Sequence, residues 1–254
     1  MKIRKTALAA MAMAVCAIPM SAKAETFAMF FDAGYVDTGT EGANMLGDIQ
    51  GMGHTVNTFT GTALADFTAA LSGVHGLILP EMENSDLLGA LDGATQQLLL
   101  EYVLNGGCLI QANYFVGNSS LPNSLFGWSL SQTGSQPASI LNAVNATGTS
   151  FAGGPAVLAG TDSGADATEG VLTSSLAGGT LSIYEVDDVT TVFVSDLGAG
   201  HYIYLGFDWF EDTTDPTWLD VTERALGYCV VPEPATMAAL GLGGLALIRR
   251  RKKA

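Results

Sequence analysis

The sequence predicts an α/β fold with a doubly wound, mainly parallel sheet and an antiparallel meander in its C-terminal half. Between residues 26 and 112, short apolar runs alternate with amphipathic helical patterns, which is the order expected of βαβ units. Between residues 181 and 207, three runs of alternating apolar and polar residues follow one another with only turns between them. A hydrophobic content of 48% excludes a disordered acidic chain and suffices for one large core.

Four strands and three helices are predicted in the first half of the chain. The strands cover residues 26–32, 54–60, 76–80 and 108–112, and the helices cover residues 41–52, 63–71 and 94–105. Met45, Ile49 and Met52 form the apolar face of the first helix at helical spacing. Gly106 and Gly107 are typical of the C-cap at which the third helix ends.

The second half predicts fewer elements. Residues 129–180 are rich in Gly, Ser, Thr and Ala and show no clear periodicity. Strands are then expected over residues 181–186, 190–196 and 201–207. A closing amphipathic helix is expected over residues 217–228, with Asp215 or Thr217 as its N-cap.

The first 24 residues have the pattern of a secretory signal peptide. Basic residues at the start of the chain precede an apolar stretch over residues 7–18. Ala22, Lys23 and Ala24 then give the small-x-small pattern that signal peptidase recognises. We therefore expect cleavage between Ala24 and Glu25, which removes residues 1–24.

Three features follow one another after residue 230. A short polar motif precedes an uncharged apolar stretch over residues 235–248 and a basic cluster. The motif is Val231, Pro232, Glu233 and Pro234, and the cluster is Arg249, Arg250, Arg251, Lys252 and Lys253. Together they resemble the PEP-CTERM sorting signal, whose recognition by a membrane-embedded exosortase resembles that of LPxTG tails by sortase. The resemblance implies that residues 231–254 are a sorting signal read by an exosortase-like enzyme.

The physical properties of residues 235–248 agree with that interpretation. The stretch is shorter than the roughly 20 residues that cross a bilayer stably. A basic cluster behind an apolar segment favours the cytoplasmic side of a membrane, and a buried core helix rarely ends in five cations. We expect a C-terminal hydrophobic sorting helix that enters the inner membrane transiently; the alternative is a final core helix with a frayed basic end.

The segment between the two terminal signals, residues 25–230, is predicted to be a single acidic domain. It contains 24 carboxylates and only one Lys or Arg, Arg224, so its net charge is about −23, against −15 for the whole chain. Nucleic-acid binding requires Lys and Arg to neutralise phosphates, which excludes DNA and RNA as partners. Divalent cations, neutral glycans and basic surfaces remain compatible.

Three stretches of this domain resemble the class I glutamine amidotransferase-like fold, a flavodoxin-like arrangement. They are residues 77–80 (LILP), residues 100–112 (LEYVLNGGCLIQA) and residues 200–209 (GHYIYLGFDW). In that family the catalytic Cys lies just past the strand that follows the Gly pair, a position that falls on Asn113 here. His201 precedes the last strand, whereas the family's His follows it. The resemblance therefore implies the fold without the catalytic triad, because an amide is not a nucleophile.

Polar residues follow the predicted parallel strands at the edge where ligands bind in such sheets. The candidates for a divalent-metal site are Asp32, Glu81, Asn113 and Asp208, with Glu83 nearby. Clustered carboxylates require a counter-charge, and Ca²⁺ or Mg²⁺ held by oxygen ligands would supply it. The alternative is that these residues are solvated loop acids on a very acidic protein. The acidic loop at residues 211–215 lacks EF-hand spacing.

Two cysteines remain after signal cleavage, and export exposes them to an oxidising compartment. Cys108 begins a parallel strand at the amino edge of the sheet. Cys229 ends a helix that returns from the carboxyl edge to that same amino edge. We therefore predict a Cys108–Cys229 disulfide.

Two functional hypotheses follow from the sequence. In the first, the protein is an exported, non-catalytic component of the cell surface or exopolysaccharide of a Gram-negative bacterium. In the second, it is a secreted hydrolase with a carboxylate or divalent-metal site at the carboxyl edge of the sheet. Ice binding ranks last, because Thr55, Thr58, Thr60 and Thr62 form no regular array.

Overall fold

The computed structural model describes residues 24–113, 119–160, 168–210 and 214–230. These residues form ten strands and six α-helices. In chain order they are β1 (Thr26–Phe30), α1 (Glu41–Gly51), β2 (Thr55–Phe59), α2 (Leu64–Ala70), β3 (Gly76–Leu79), α3 (Gly93–Leu104), β4 (Cys108–Ala112), α4 (Ser120–Phe126), β5 (Ser139–Leu141), α5 (Ala143–Ala146), β6 (Val157–Leu158), β7 (Val171–Leu172), β8 (Leu181–Val186), β9 (Val189–Leu197), β10 (Gly200–Leu205) and α6 (Pro216–Tyr228).

All ten strands belong to one sheet, in the order β2-β1-β3-β4-β10-β9-β8-β5-β6, with β7 also paired to β9. The first five strands in this order are parallel to one another. From β10 onward the pairs are antiparallel. The predicted fold class, a mainly parallel sheet joined to an antiparallel meander, is therefore confirmed.

Side chains from the two faces of the sheet enter two different hydrophobic clusters. Phe27 and Met29 of β1 belong to the cluster that contains Met45 of α1 and Trp218 of α6. Ala28 and Phe30, which alternate with them, belong to the cluster that also includes Phe67 of α2 and Leu99 of α3. Because β1 is buried on both faces, its sequence is continuously apolar, as expected of a central parallel strand.

Strand β10 joins the parallel and antiparallel parts of the sheet. It pairs in parallel with β4, matching Leu205 to Ala112, and in antiparallel with β9, matching Leu205 to Val192. Its buried aromatic residues, Tyr202 and Tyr204, pack with Phe193 of β9. This arrangement places the end of β10 beside the end of β4, which positions the residues that follow both strands.

The region over residues 129–180 contains short elements that the sequence did not predict. Strand β5 pairs with β8 and with β6, and β7 pairs with β9. These strands have only two or three residues each, too few to give a detectable period. They are set by pairing to strands that lie far away in the sequence.

Helix α6 begins and ends as its capping chemistry requires. Asp215 is its N-cap, and the side chain accepts a hydrogen bond from the backbone N–H of Thr217 at 2.7 Å. At the other end, Cys229 forms a disulfide with Cys108, so the helix returns to the amino edge of β4. The linked cysteines are separated by 121 residues, and the disulfide joins the last helix to the middle of the sheet.

The predicted terminal signals fall on residues 1–23 and 231–254, outside the described residues. The cleavage residue Ala22, the polar motif, the apolar segment and the basic cluster therefore receive no structural description. No helix in the described part of the chain combines the length and the apolar character that crossing a membrane requires.

Candidate functional site

Three carboxylates from distant parts of the chain meet at the carboxyl edge of the parallel sheet. Glu81 follows β3, Asp208 follows β10, and Glu41 is the first residue of α1. One carboxylate oxygen from each lies within 4.8 Å of the other two. The sequence pointed to Glu81 and Asp208 from their places after strands. It missed Glu41, which begins a helix and matches no strand-end pattern.

The start of α1 is held close to the loop that follows β1, which brings Glu41 to the sheet edge. A Cβ atom on Gly42 would lie 2.7 Å from Cγ1 of Val36 and 3.0 Å from the carbonyl oxygen of Asp37. A glycine at this position therefore permits a closer approach than any other residue. The partial positive charge at the helix N-terminus also favours a carboxylate in the first turn.

Two residues of α1 hold the segment that contains Asp208. The Asn44 side-chain amide donates a hydrogen bond to the carbonyl oxygen of Trp209 at 2.9 Å. The Trp209 indole N–H donates to Oδ2 of Asp48 at 3.1 Å. Asp208 is therefore fixed relative to the same helix that carries Glu41.

Glu81 and Asn113 follow adjacent parallel strands and are joined by a hydrogen bond. The Asn113 amide nitrogen Nδ2 donates to Oε2 of Glu81 at 3.2 Å. The backbone N–H of Asn113 donates to the carbonyl oxygen of Leu205 at 2.9 Å, which extends the pairing of β4 with β10. Glu81 is 3% exposed and Asn113 is 2% exposed, so both groups are desolvated.

Burial and mutual repulsion change the acidity of the cluster. Desolvation, followed by the charges of Asp208, Glu83 and Asp37, raises the pKa of Glu41 to about 8. Desolvation and the charges of Asp208 and Glu41 raise the pKa of Glu81 to about 10, and the hydrogen bond from Asn113 opposes the rise. These carboxylates are therefore costly to ionise together without a compensating positive charge.

The basic side chains of the described residues all have partners elsewhere. Arg224 pairs with Asp220 at 2.9 Å and also donates to the backbone carbonyls of residues 150, 152 and 153. The histidines pair with other acids: His54 with Glu223 at 3.1 Å, His75 with Glu25 at 2.7 Å, and His201 with Asp196 at 2.8 Å. The segments 114–118, 161–167 and 211–213 contain no Lys, Arg or His in the sequence.

Asp32, the remaining predicted ligand, is not brought into this cluster. Its Oδ1 accepts from the backbone N–H of Gly34 at 2.9 Å, and its Oδ2 accepts from that of Gly61 at 3.0 Å. Gly61 has a φ of 89°, a left-handed conformation that favours glycine. Asp32 thus joins the loops after β1 and β2.

The structure contains no arrangement of amidotransferase type among the described residues. Asn113 occupies the strand-end position, and Cys108 is tied to Cys229. Each of the three histidines precedes or begins a strand, at the amino edge of the sheet, opposite the carboxylates. A cavity of about 550 Å³ lies at that same amino edge, lined in part by His75, Tyr102 and Cys229.

Comparisons with known proteins bear on the tail and on the domain separately. A family model described as the PEP-CTERM protein-sorting motif matches residues 230–252. None of the curated proteins matches the chain.

Several solved structures share the fold at low sequence identity. A putative ThuA-like protein from Parabacteroides merdae is 13% identical with a TM-score of 0.54, covering 84% of this chain and 94% of its own. A putative ThuA-like protein from Bacteroides uniformis is 16% identical with a TM-score of 0.52, covering 84% and 95%. A putative GMP synthase protein from Thermoplasma acidophilum is 13% identical with a TM-score of 0.52, covering 86% and 98%.

These likenesses show the fold alone, whereas the tail match concerns sorting. The chain carries a PEP-CTERM sorting motif at residues 230–252, which indicates an exported, exosortase-sorted protein, and its described domain has a glutamine amidotransferase-like fold, as ThuA-like proteins do.

Proposed function

We propose that this protein is a non-catalytic component of the cell surface or exopolysaccharide of a Gram-negative bacterium. In this proposal, signal peptidase removes residues 1–24, and an exosortase-like enzyme processes the tail while residues 235–248 are in the inner membrane. Residues 25–230 then act as one acidic domain outside the cell. The observation that carries the proposal is the sorting motif at residues 230–252.

The strand-end chemistry supports a non-catalytic domain. The position of the amidotransferase nucleophile holds Asn113, whose buried amide donates to Glu81. An amide neither attacks a carbonyl group nor takes a proton from a nucleophile. The histidines, the usual bases in such a reaction, lie at the opposite edge of the sheet.

The charge of the domain supports a matrix role. With a single guanidinium among its Lys and Arg positions, residues 25–230 repel polyanions and remain soluble at high local concentration. Association with an acidic polysaccharide would therefore require bridging divalent cations, whereas neutral glycans would need no such bridge.

The test compares the full chain with a variant lacking residues 232–254, both expressed in a host that has an exosortase. After fractionation and intact-mass measurement, we expect the full chain to lose its tail and to reach the surface fraction. The truncated variant should be released without surface retention. A matched variant with Pro232→Ala and Pro234→Ala should accumulate as an unprocessed precursor. A mature protein that keeps its whole tail would refute the sorting proposal.

A second candidate function is a secreted hydrolase, and the buried carboxylate cluster favours it. A carboxyl group with a raised pKa can serve as a general acid near neutral pH. A screen of ester, glycoside and amide substrates would detect such an activity. An enzyme should lose it in the variants Glu81→Ala and Asp208→Ala, whereas a matrix protein should change only in stability or calcium response.

A further inference from the structure

The Glu41 side chain is a buried acid whose second oxygen lacks a partner. Glu41 is 4% exposed, and its Oε2 has no hydrogen-bond donor among the described residues. Leaving a buried polar oxygen unsatisfied costs about 1–3 kcal/mol, and more when the group is charged. An oxygen of this residue lies within 4.8 Å of oxygens of Glu81 and Asp208.

Two arrangements relieve such a cluster: shared protons or a bound cation. Shared protons require a direct hydrogen bond between carboxyl groups. Oε2 of Glu41 makes no such bond within the described residues. A cation contacts each carboxylate separately and satisfies the oxygen that is otherwise unpaired.

The spacing of the three oxygens suits a calcium ion. Ca²⁺ binds oxygen ligands at about 2.3–2.6 Å, so oxygens on opposite sides of the ion lie about 5 Å apart. Three oxygens within 4.8 Å of one another can therefore contact one ion. Mg²⁺ binds at about 2.0–2.1 Å, demands near-octahedral geometry and usually keeps several waters, so it fits a set of buried carboxylates less well.

The supporting residues hold these ligands without taking part in the binding. Nδ2 of Asn113 donates to Oε2 of Glu81, which orients that carboxylate and leaves its other oxygen to the ion. Asn44 and Asp48 hold the backbone and side chain of Trp209, next to Asp208. Hydrogen bonds that orient metal ligands in this way typically increase the affinity for the metal.

We propose that Glu41, Glu81 and Asp208 form a calcium-binding site at the carboxyl edge of the sheet, with Asn113 as a positioning residue. Three carboxylates supply three negative charges to an ion of charge +2, at a place that no basic side chain of the described residues neutralises. The site joins β3, β10 and α1, so the ion ties together three elements distant in sequence. This inference stands independently of the sorting proposal.

The test is calorimetric titration of the EDTA-treated full chain in mild detergent with CaCl₂, paired with thermal unfolding. We expect one ion per chain, a dissociation constant at or below about 1 mM, and a rise in Tm on binding. Glu41→Gln and Glu81→Gln should each weaken binding at least about tenfold, since each removes a charged ligand. Glu101→Gln, an exposed acid on α3, is the matched control and should bind as the parent does.

A second readout separates lost binding from lost folding. Because Glu→Gln removes a repelling charge, both site variants should unfold at an equal or higher Tm than the parent in EDTA. They should nevertheless lose the rise in Tm that calcium produces. Three results would overturn the proposal: no calcium response in the parent up to about 10 mM, an undiminished response in the site variants, or binding of Mg²⁺ in preference to Ca²⁺.

Discussion

Asn113 and Glu81 are joined by a hydrogen bond of 3.2 Å across the ends of two adjacent parallel strands. The bond is buried, and it connects the amide at the amidotransferase nucleophile position to a carboxylate of the acidic cluster. In this protein the position that would carry out nucleophilic attack orients an acid instead. A glutamine amidotransferase-like fold is thereby compatible with ion binding at the edge where open parallel sheets hold their ligands.

Replacing Asn113 with Ala should destabilise the protein. The change leaves Glu81 buried without its neutral donor, which should cost about 1–3 kcal/mol of unfolding free energy. Urea denaturation in EDTA measures this loss. Asn57→Ala, an exposed position on β2, is the control and should stay within about 0.5 kcal/mol of the parent. Equal stability of the two variants would contradict a role for Asn113 in holding Glu81.

The stability of the calcium-free protein should fall as the pH rises from about 5 to 8. The pKa values of Glu41 and Glu81 are raised from 4.5 to about 8 and about 10, with Asp208, Glu83 and Asp37 as the neighbouring acids. Above pH 4.5 the folded state therefore binds more protons than the unfolded state, so the unfolding free energy decreases with pH. The slope should not exceed about 1.4 kcal/mol per pH unit for each group.

Urea denaturation in EDTA at several pH values measures that slope. Glu41→Gln should reduce the slope, because the amide does not titrate. Addition of calcium should also reduce it, because the ion stabilises the ionised carboxylates. A stability that is constant with pH in EDTA would show that the cluster is not desolvated in solution.

Gly42→Ala should weaken both stability and calcium binding. The added Cβ would lie 2.7 Å from Cγ1 of Val36, so the first turn of α1 must move and carry Glu41 with it. Such overpacking costs about 1–3 kcal/mol. The matched control is Gly47→Ala in the same helix, where a Cβ would meet nothing within 4 Å. That change should stabilise the protein by about 0.5–1 kcal/mol, through helix propensity. Similar effects of the two changes on urea denaturation would contradict this account.

Reduction of the Cys108–Cys229 disulfide should lower the unfolding free energy by about 2–5 kcal/mol. The sequence separation is 121 residues, and a long closed loop restricts the unfolded chain strongly in the chain-entropy model. Urea denaturation with and without dithiothreitol measures the change. A variant with both cysteines replaced by Ser should be insensitive to the reductant. Two free thiols in the oxidised parent, detected by mass spectrometry, would refute the bond in solution.

Much of the first half of the fold was predictable because its signals are local. The strand over residues 108–112 was predicted with the bounds that the structure gives, since a glycine pair precedes an apolar run there. Helix α1 was predicted one residue too long, as its apolar spacing continues to Met52. Strands β5, β6 and β7 were not predictable, because two or three residues show no period and their order depends on partners elsewhere.

The candidate site was only partly predictable, for the same reason. Glu81, Asn113 and Asp208 were identified because parallel strands end at one edge of a sheet. Asp32 follows the same rule, yet its carboxylate caps two loop N–H groups instead. Glu41 gave no signal in the sequence, because its place depends on how closely α1 approaches the loop around Val36.

Neighbouring residues are enough to encode the sorting motif, the strongly negative charge and the alternation of strands and helices, so all three could be read from the chain without a structure. Which acids meet depends instead on three-dimensional packing. A carboxylate's neighbours across a sheet edge are set by the approach of one helix to one loop, through contacts such as that between Gly42 and Val36, and no local pattern encodes such a contact.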